Sequence, residues 1–261
     1  MLRFKNLGSG SAGNATLVEA RDGLQVSRLL IDCGLRVPEL RRRLQAIDLQ
    51  LSDLQGLFVT HEHSDHVGHA RRFAQETGLP LWMSEGTRLA CQADEWKLAP
   101  DQLRVARDSV TIDLGALELS PFTVPHDARE PLQLRCSDGD RSLGVLTDLG
   151  HASSHVIQSL RGCHALLLEA NHDRDMLSRS SYPAFLRKRI AGPLGHLSND
   201  DAAALLQAVC HPALSCVVAA HLSERNNSPA LAQAAFSDVL GCSADAIPVA
   251  DPETGSDWHR A

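Results

Sequence analysis

LFVTHEHSDHVGHARR, residues 57–72, sets four imidazoles and the Asp65 carboxylate within nine residues, His61 to His69, directly after an apolar run. With 13 histidines and 21 aspartates in the chain, its H-x-H-x-D-H core is expected by chance at a frequency of about 0.003. A loop between a strand and a helix can turn His61 and His63 toward one point and Asp65 and His66 toward a neighbouring one. The nitrogen and oxygen donors suit zinc or manganese, and the spacing suggests two ions. A polar loop of surface histidines explains the pattern less well, because one turn seldom gathers unpaired imidazoles without a cation. His69 falls on the surface of the following helix, or behind a ligand as an outer partner.

The chain has 261 residues, 43% hydrophobic and 22% charged, which suffices for one substantial core. Without a linker-like stretch, one domain over residues 1–261 is expected. The net charge of −7 argues against a broadly basic nucleic-acid coat, although a local basic patch or bound cations can still meet a polyanion. The opening MLRFKNLGSGSAGN lacks the apolar core of a signal peptide, and no window resembles a membrane span. A cytoplasmic location with no membrane partner is therefore expected. Seven cysteines form an odd set with no CxxC pair, which favours free thiols over a disulfide framework or a cysteine zinc site.

Short apolar runs alternate with hairpin signals and helical patterns, as in a mixed α/β chain. Strands are expected over 2–7, 15–20 and 26–31, with Asp22-Gly23 as a hairpin turn, then a helix from Pro38 to about Ile47. A strand over 57–59 leads through the histidine loop into a helix over 67–77, a strand over 79–83 and a helix over 85–95. Several short strands lie between 103 and 135. Farther on, strands at 142–147, 165–169 and 214–220 alternate with helical stretches at 153–160, 173–191, 199–210 and 229–240. No fixed-period repeat appears, and two βββα-like halves summarise the order.

Two ions need more donors, and three other apolar runs end in one. FTVPH ends in His126, GVLTD in Asp148 and CVVAAH in His221. A single strand-end His or Asp is usually a cap or turn residue. Three of them together with H-x-H-x-D-H point to one shared site.

This order of motifs resembles the metallo-β-lactamase-fold hydrolases over residues 61–221. The resemblance implies an α/β (α+β) fold, a four-layer αββα sandwich with a dinuclear centre at one edge between its sheets. Carried over residue by residue, it implies His61, His63 and His126 as ligands of one ion, Asp65, His66 and His221 of the other, and Asp148 as the bridging carboxylate. The aspartate at 148 and the absence of a cysteine ligand resemble the hydrolytic and nuclease branches and disfavour antibiotic hydrolysis. NLGSGSAGN at 6–14, LLIDCG at 29–34, PHDAREP at 125–131, LLLEANHD at 166–173, GHLSND at 195–200 and AAHLSERNN at 219–227 resemble the YycJ/WalJ-like branch, near ribonuclease Z. That branch implies a nuclease, with 5′-to-3′ exonuclease activity attributed to some members.

Two close cations can generate a bridging hydroxide at neutral pH and neutralise charge as a phosphodiester is attacked. Asp65 is also expected to orient the attacking water. His196 in GHLSND exceeds the ligand count and resembles the non-ligand histidine of ribonuclease Z, implying acid or phosphate-stabilising duty; the alternative is a histidine near the cap of the helix at Asn199. Asp32 either fixes the tautomer of a ligand histidine or serves a turn. The Gly8–Gly13 loop reads as a tight turn more readily than as a phosphate cradle. Glu169 and His172 line the cleft or satisfy a strand end. Arg41–Arg43 and Arg187–Arg189 are either solvated helix faces or tracks for a nucleic-acid backbone.

The expected activity is thus metal-dependent hydrolysis of a phosphodiester in nucleic acid, DNA favoured over RNA, with zinc or manganese and iron also admitted by the donor set. The alternative is a hydrolase of a small thioester, lactone or phosphodiester, since a dinuclear hydroxide attacks acyl carbon and phosphorus alike. The oligomeric state is left open, a homodimer included.

Overall fold

Along β2 (Ala15–Asp22), Ala15 and Leu17 face one apolar cluster while Val18 and Ala20 face another. A strand buried on both sides needs cover on both, which forces a layered architecture. In the computed structural model, which describes residues 1–261, that need is met twice. One sheet has the order β13 (His259–Arg260), β1 (Leu2–Gly8), β2, β3 (Gln25–Ile31), β4 (Gly56–Phe58), β5 (Leu81–Ser84) and β6 (Leu103–Ala106). The other runs β12 (Cys216–Ala220), β11 (Ala165–Glu169), β10 (Ser142–Leu146), β9 (Leu132–Ser137), β8 (Glu118–Thr123) and β7 (Ile112–Asp113).

Three apolar clusters separate four layers. The central one joins Phe4, Leu29 and Phe58 of the first sheet to Leu119, Leu134, Val145 and Leu167 of the second. On the outer face of the first sheet, Leu17, Leu30 and Leu57 meet Leu40 and Leu44 of α1 (Val37–Gln45). Beyond the short α2 (Ser64–Val67), the same cluster takes in Phe73 of α3 (Ala70–Thr77), after which the chain forms α4 (Glu85–Ala90). On the outer face of the second sheet, Leu166 and Leu168 meet Val156 of α5 (Ser154–Leu160). The intervening α6 (Arg174–Arg179) and α7 (Ala184–Ile190) lie before the covering α8 (Asn199–Val209) and α9 (Pro229–Leu240), which contribute Leu205 and Phe236. The expected αββα sandwich is the observed fold.

Strands β1 to β3 are antiparallel and β3 to β6 parallel, while β7 to β10 are antiparallel and β10 to β12 parallel. The carboxyl ends of parallel strands are where open sheets place ligand-binding loops. Asp32 follows β3, Thr60 and His61 follow β4, Asp148 follows β10, and His221 follows β12. No helix is long and apolar enough to cross a membrane.

Two local expectations are corrected, and one strand is added to them. The helix expected over 67–77 is split: α2 ends at Val67, His69 caps α3, and the His69 amide donates to the Cys33 carbonyl at 2.8 Å instead of continuing the first helix. The helix expected to reach Glu95 stops at Ala90, because Gln92 enters the left-handed region at φ 50° before a 3-10 turn over Ala93–Trp96. The two-residue β13, too short for any periodicity, closes the first sheet against β1.

Candidate metal centre

The loop after β4 delivers its histidines through fixed tautomers. His61 Nδ1 lies 3.0 Å from Thr60 Oγ1, leaving Nε2 buried without a partner. His63 Nε2 lies 3.2 Å from the Asp127 carbonyl, so its Nδ1 faces inward. His126 directs Nδ1 to the Gly195 carbonyl at 3.0 Å and Nε2 toward His63 Nδ1 at 3.2 Å. The three rings stand edge-on to one another with centroids 4.6 to 5.0 Å apart, converging their free nitrogens on one point.

A second group forms alongside. His66 Nδ1 donates to Asp32 Oδ2 at 2.7 Å, and Asp32 Oδ1 accepts the Thr60 amide at 2.8 Å. Asp32 thus orients a candidate ligand, the outer-partner role considered from sequence. His66 Nε2 then points to Asp148 Oδ2, 2.7 Å away, and to Asp65 Oδ2 at 3.5 Å. His221 Nε2 lies 3.4 Å from the same Asp65 oxygen. Asp148 sits between the groups, with Oδ1 3.9 Å from His126 Nε2. All seven residues singled out from sequence as ligands therefore meet at one sheet edge.

Backbone strain accompanies this convergence. Asp32, Asp148 and His221 all adopt positive φ, at 62°, 62° and 55°. Each such residue costs about 1–2 kcal/mol, tolerated best by Asp, Asn and His. The Ser9 hydroxyl accepts the His221 amide at 2.8 Å, so the glycine-rich loop acts as a buttress for that corner. Gly34 permits the closest approach: a Cβ there would lie 1.9 Å from the Asp65 carbonyl oxygen.

Glu169 organises what lies outside the candidate ligands. Fully buried, it accepts from His196 Nδ1 at 2.7 Å, from the Leu149 amide at 2.9 Å and from the Leu197 amide at 3.2 Å, and lies 3.3 Å from His221 Nδ1. Sequence reasoning left its role undecided between cleft and strand end. Ser198, not His196, caps α8, its Oγ accepting the Asp201 amide. His196 Nε2 is left without a protein partner. The runner of basic residues on α1 is largely engaged: Glu39 pairs with Arg42 and Arg43, and Arg41 faces Glu76. On α7, Arg189 pairs with Asp127, whose carbonyl meets His63.

Charge follows position. Burial holds His61 and His126 below the usual imidazole range, His61 far below it. His66 is equally buried, but the carboxylates of Asp148 and Asp32 outweigh that cost and hold it well above the range. His221, buried too, is raised to about 10 by Asp148, Asp65 and Glu169. Asp148 stays well below the usual carboxylate range because His221 and His66 overcome its burial. His196 is raised by Glu169 and Asp148 against its burial, and Glu169 falls to about 2 in return.

These residues fit a divalent metal centre. The buried Nε2 of His61 has no hydrogen-bond partner, an arrangement whose cost a cation removes. The seven candidate ligands fall into overlapping groups of three whose ligating atoms lie within 4.8 Å of one another, all nitrogen or oxygen, and a further group joins Asp148 and His221 to Glu169 and His196.

A sandwich with such an edge defines a class, and the chain belongs to the beta-lactamase superfamily, whose domain model matches residues 27–221. Within it the chain belongs to the YycJ/WalJ branch. It is 33% identical to the exodeoxyribonuclease YycJ of Bacillus anthracis, covering 92% of this chain and 89% of that protein. It is 32% identical to the exodeoxyribonuclease WalJ of Streptococcus pneumoniae over 88% and 85% of the respective chains. The fold is shared with the metallo-β-lactamase fold protein YhfI of Bacillus subtilis, with a TM-score of 0.72 at 13% identity over 100% of this chain and 99% of that one. The protein is a metal-dependent hydrolase.

Proposed function

We propose that this hydrolase is a DNA phosphodiesterase of the exonuclease kind, working with two divalent cations. His61, His63 and His126 would hold one ion and Asp65, His66 and His221 the other, with Asp148 shared. The position of Asp148 between the two donor groups carries the reading of two ions. Zinc and manganese suit the set, and iron is admitted by the same donors. The exodeoxyribonuclease relatives support DNA as the substrate. When bound, the cations supply Lewis acidity and an activated water.

The remaining chemistry belongs to side chains. His196 keeps Nδ1–H on Glu169 and presents Nε2 to the cleft. Glu169 and Asp148 favour its protonated form, so it donates a proton to the leaving oxygen or a hydrogen bond to a phosphate oxygen. Asp65, the least buried of the carboxylates at the centre, orients the attacking water. Asp32 and Glu169 hold the tautomers of His66 and His221, so neither imidazole must reorganise.

The test loads purified protein with manganese or zinc and offers it end-labelled single- and double-stranded DNA, RNA, bis(4-nitrophenyl) phosphate, a thioester and a lactone. Stepwise release of nucleotides from DNA is expected. Acyl cleavage without phosphodiester cleavage would overturn the proposal.

A further inference from the structure

The segment that carries His196 also walls a second cavity of about 280 Å³, between α6 and α7. His172, Arg174, Leu177, Arg187, Lys188 and Ala191 line it. The His196 amide donates to the Ile190 carbonyl at 2.9 Å, so the helix bearing Arg187 and Lys188 leads directly into the candidate catalytic histidine.

His172, only 2% exposed, forms part of the floor, with its Nδ1 closed off from the cavity. Arg174 is already neutralised, 2.7 Å from Asp201 Oδ1 and 3.5 Å from Asp200. Arg187 has no carboxylate partner; its guanidinium donates to the carbonyls of Ser178 and Ser180. Lys188 is exposed and makes no ion pair with any carboxylate. Two cations without carboxylate partners beside one concavity match an anion with several acceptor oxygens. The cavity holds about nine times the ~30 Å³ that one water occupies in the liquid, room for a phosphate with its sugar.

We propose that this cavity is a phosphate subsite: Lys188 and Arg187 bind a phosphate of the substrate strand other than the one being cleaved. The inference rests on the reading of DNA as substrate. A strand anchored here is held in register beside His196, so the distance between cavity and metal centre sets which bond is cut. The phosphate is either the terminal monoester of the strand, with three non-bridging oxygens, or one of its backbone diesters, with two, and both offer anionic acceptors to the same cations.

The experiment uses Lys188→Ala, a surface change, and Arg187→Gln. A 3′-labelled oligonucleotide is made with either a 5′-phosphate or a 5′-hydroxyl, and its binding is followed by fluorescence anisotropy in chelator over a range of salt. Hydrolysis of bis(4-nitrophenyl) phosphate, whose single phosphorus cannot fill both places, is measured on the manganese-loaded proteins. Lys188→Ala is expected to weaken strand binding and to lower the log–log salt slope by about 0.7, the share of one phosphate contact on a single strand. Aryl diester turnover stays at the native value. A deficit confined to the phosphorylated strand assigns the terminal phosphate, and an equal deficit with both assigns a backbone phosphate. Unchanged binding and slope in both variants would overturn the subsite alone. Native protein that hydrolyses the aryl diester but binds no oligonucleotide would overturn the DNA reading and the subsite with it.

Discussion

Glu169 Oε1 lies 2.7 Å from His196 Nδ1 and 3.3 Å from His221 Nδ1. One buried carboxylate thus sets the tautomer of two histidines with opposite proposed duties: as a ligand His221 would lose its proton, whereas as an acid His196 would keep one.

Glu169→Gln should therefore separate the two. Losing the charge lowers the pKa of His196, so its protonated form disappears at lower pH and the alkaline limb of the kcat profile moves toward neutrality. Metal affinity should fall about 10- to 100-fold as His221 loses its outer partner. A pH profile on the aryl diester at saturating manganese, with metal content measured in parallel, checks both; an unmoved alkaline limb would remove His196 from acid duty.

His196→Ala should keep its metal and lose turnover by about 10²- to 10⁴-fold, the usual share of a general acid. Metal analysis beside kcat distinguishes this from a ligand. Loss of metal in this variant would place His196 among the donors instead.

Metal binding near neutral pH should release protons. In the metal-free protein His66 and His221 are held protonated by their carboxylates, while burial keeps His61 and His126 neutral. Ligation needs neutral rings, so these two sites together release about two protons. Calorimetric titration of zinc in buffers of different ionisation enthalpy counts them, and no release would contradict the charge assignment.

Acid should destabilise the metal-free protein through Glu169. Its pKa is depressed from 4.5 to about 2, so the stabilisation is complete above 4.5 and drains away as pH falls toward 2. His221 acts in the other direction: its contribution is complete below about 6.5 and is lost as pH rises through about 10. Denaturant midpoints across pH should show a plateau between these windows, and Glu169→Gln should flatten the acid side.

Gly34→Ala should cost about 1–3 kcal/mol, the usual penalty for overpacking, and weaken metal binding as well. The new methyl would collide with the Asp65 carbonyl and displace the loop that carries Asp65 and His66. Thermal denaturation with and without zinc checks this; an unchanged melting temperature in both would show that the loop can yield.

Much of the centre is legible in sequence because its residues interrupt apolar runs. His126, Asp148 and His221 each end a run that burial makes into a strand, and a polar residue there must meet something. Glu169 closes the run ALLLE in the same manner, but its partners His196 and His221 lie 27 and 52 residues away, and no local pattern reports them. The break between α2 and α3 was hidden for a similar reason, since the Cys33 carbonyl that captures the His69 amide comes from another strand end. Arg43 shows the limit of reading charge runs: its guanidinium is tied to Glu39 and to the Leu7 carbonyl, a packing role rather than a display toward solvent.

The three corners at Asp32, Asp148 and His221 put catalysis in competition with the comfort of the backbone. Each would be easier to fold as glycine, which takes positive φ without penalty. Drift toward stability alone would erase the centre first, at the two corners proposed as metal donors and at the one that steadies His66. A descendant freed from hydrolysis would keep the sandwich and lose these corners, gaining a firmer scaffold as it lost its chemistry.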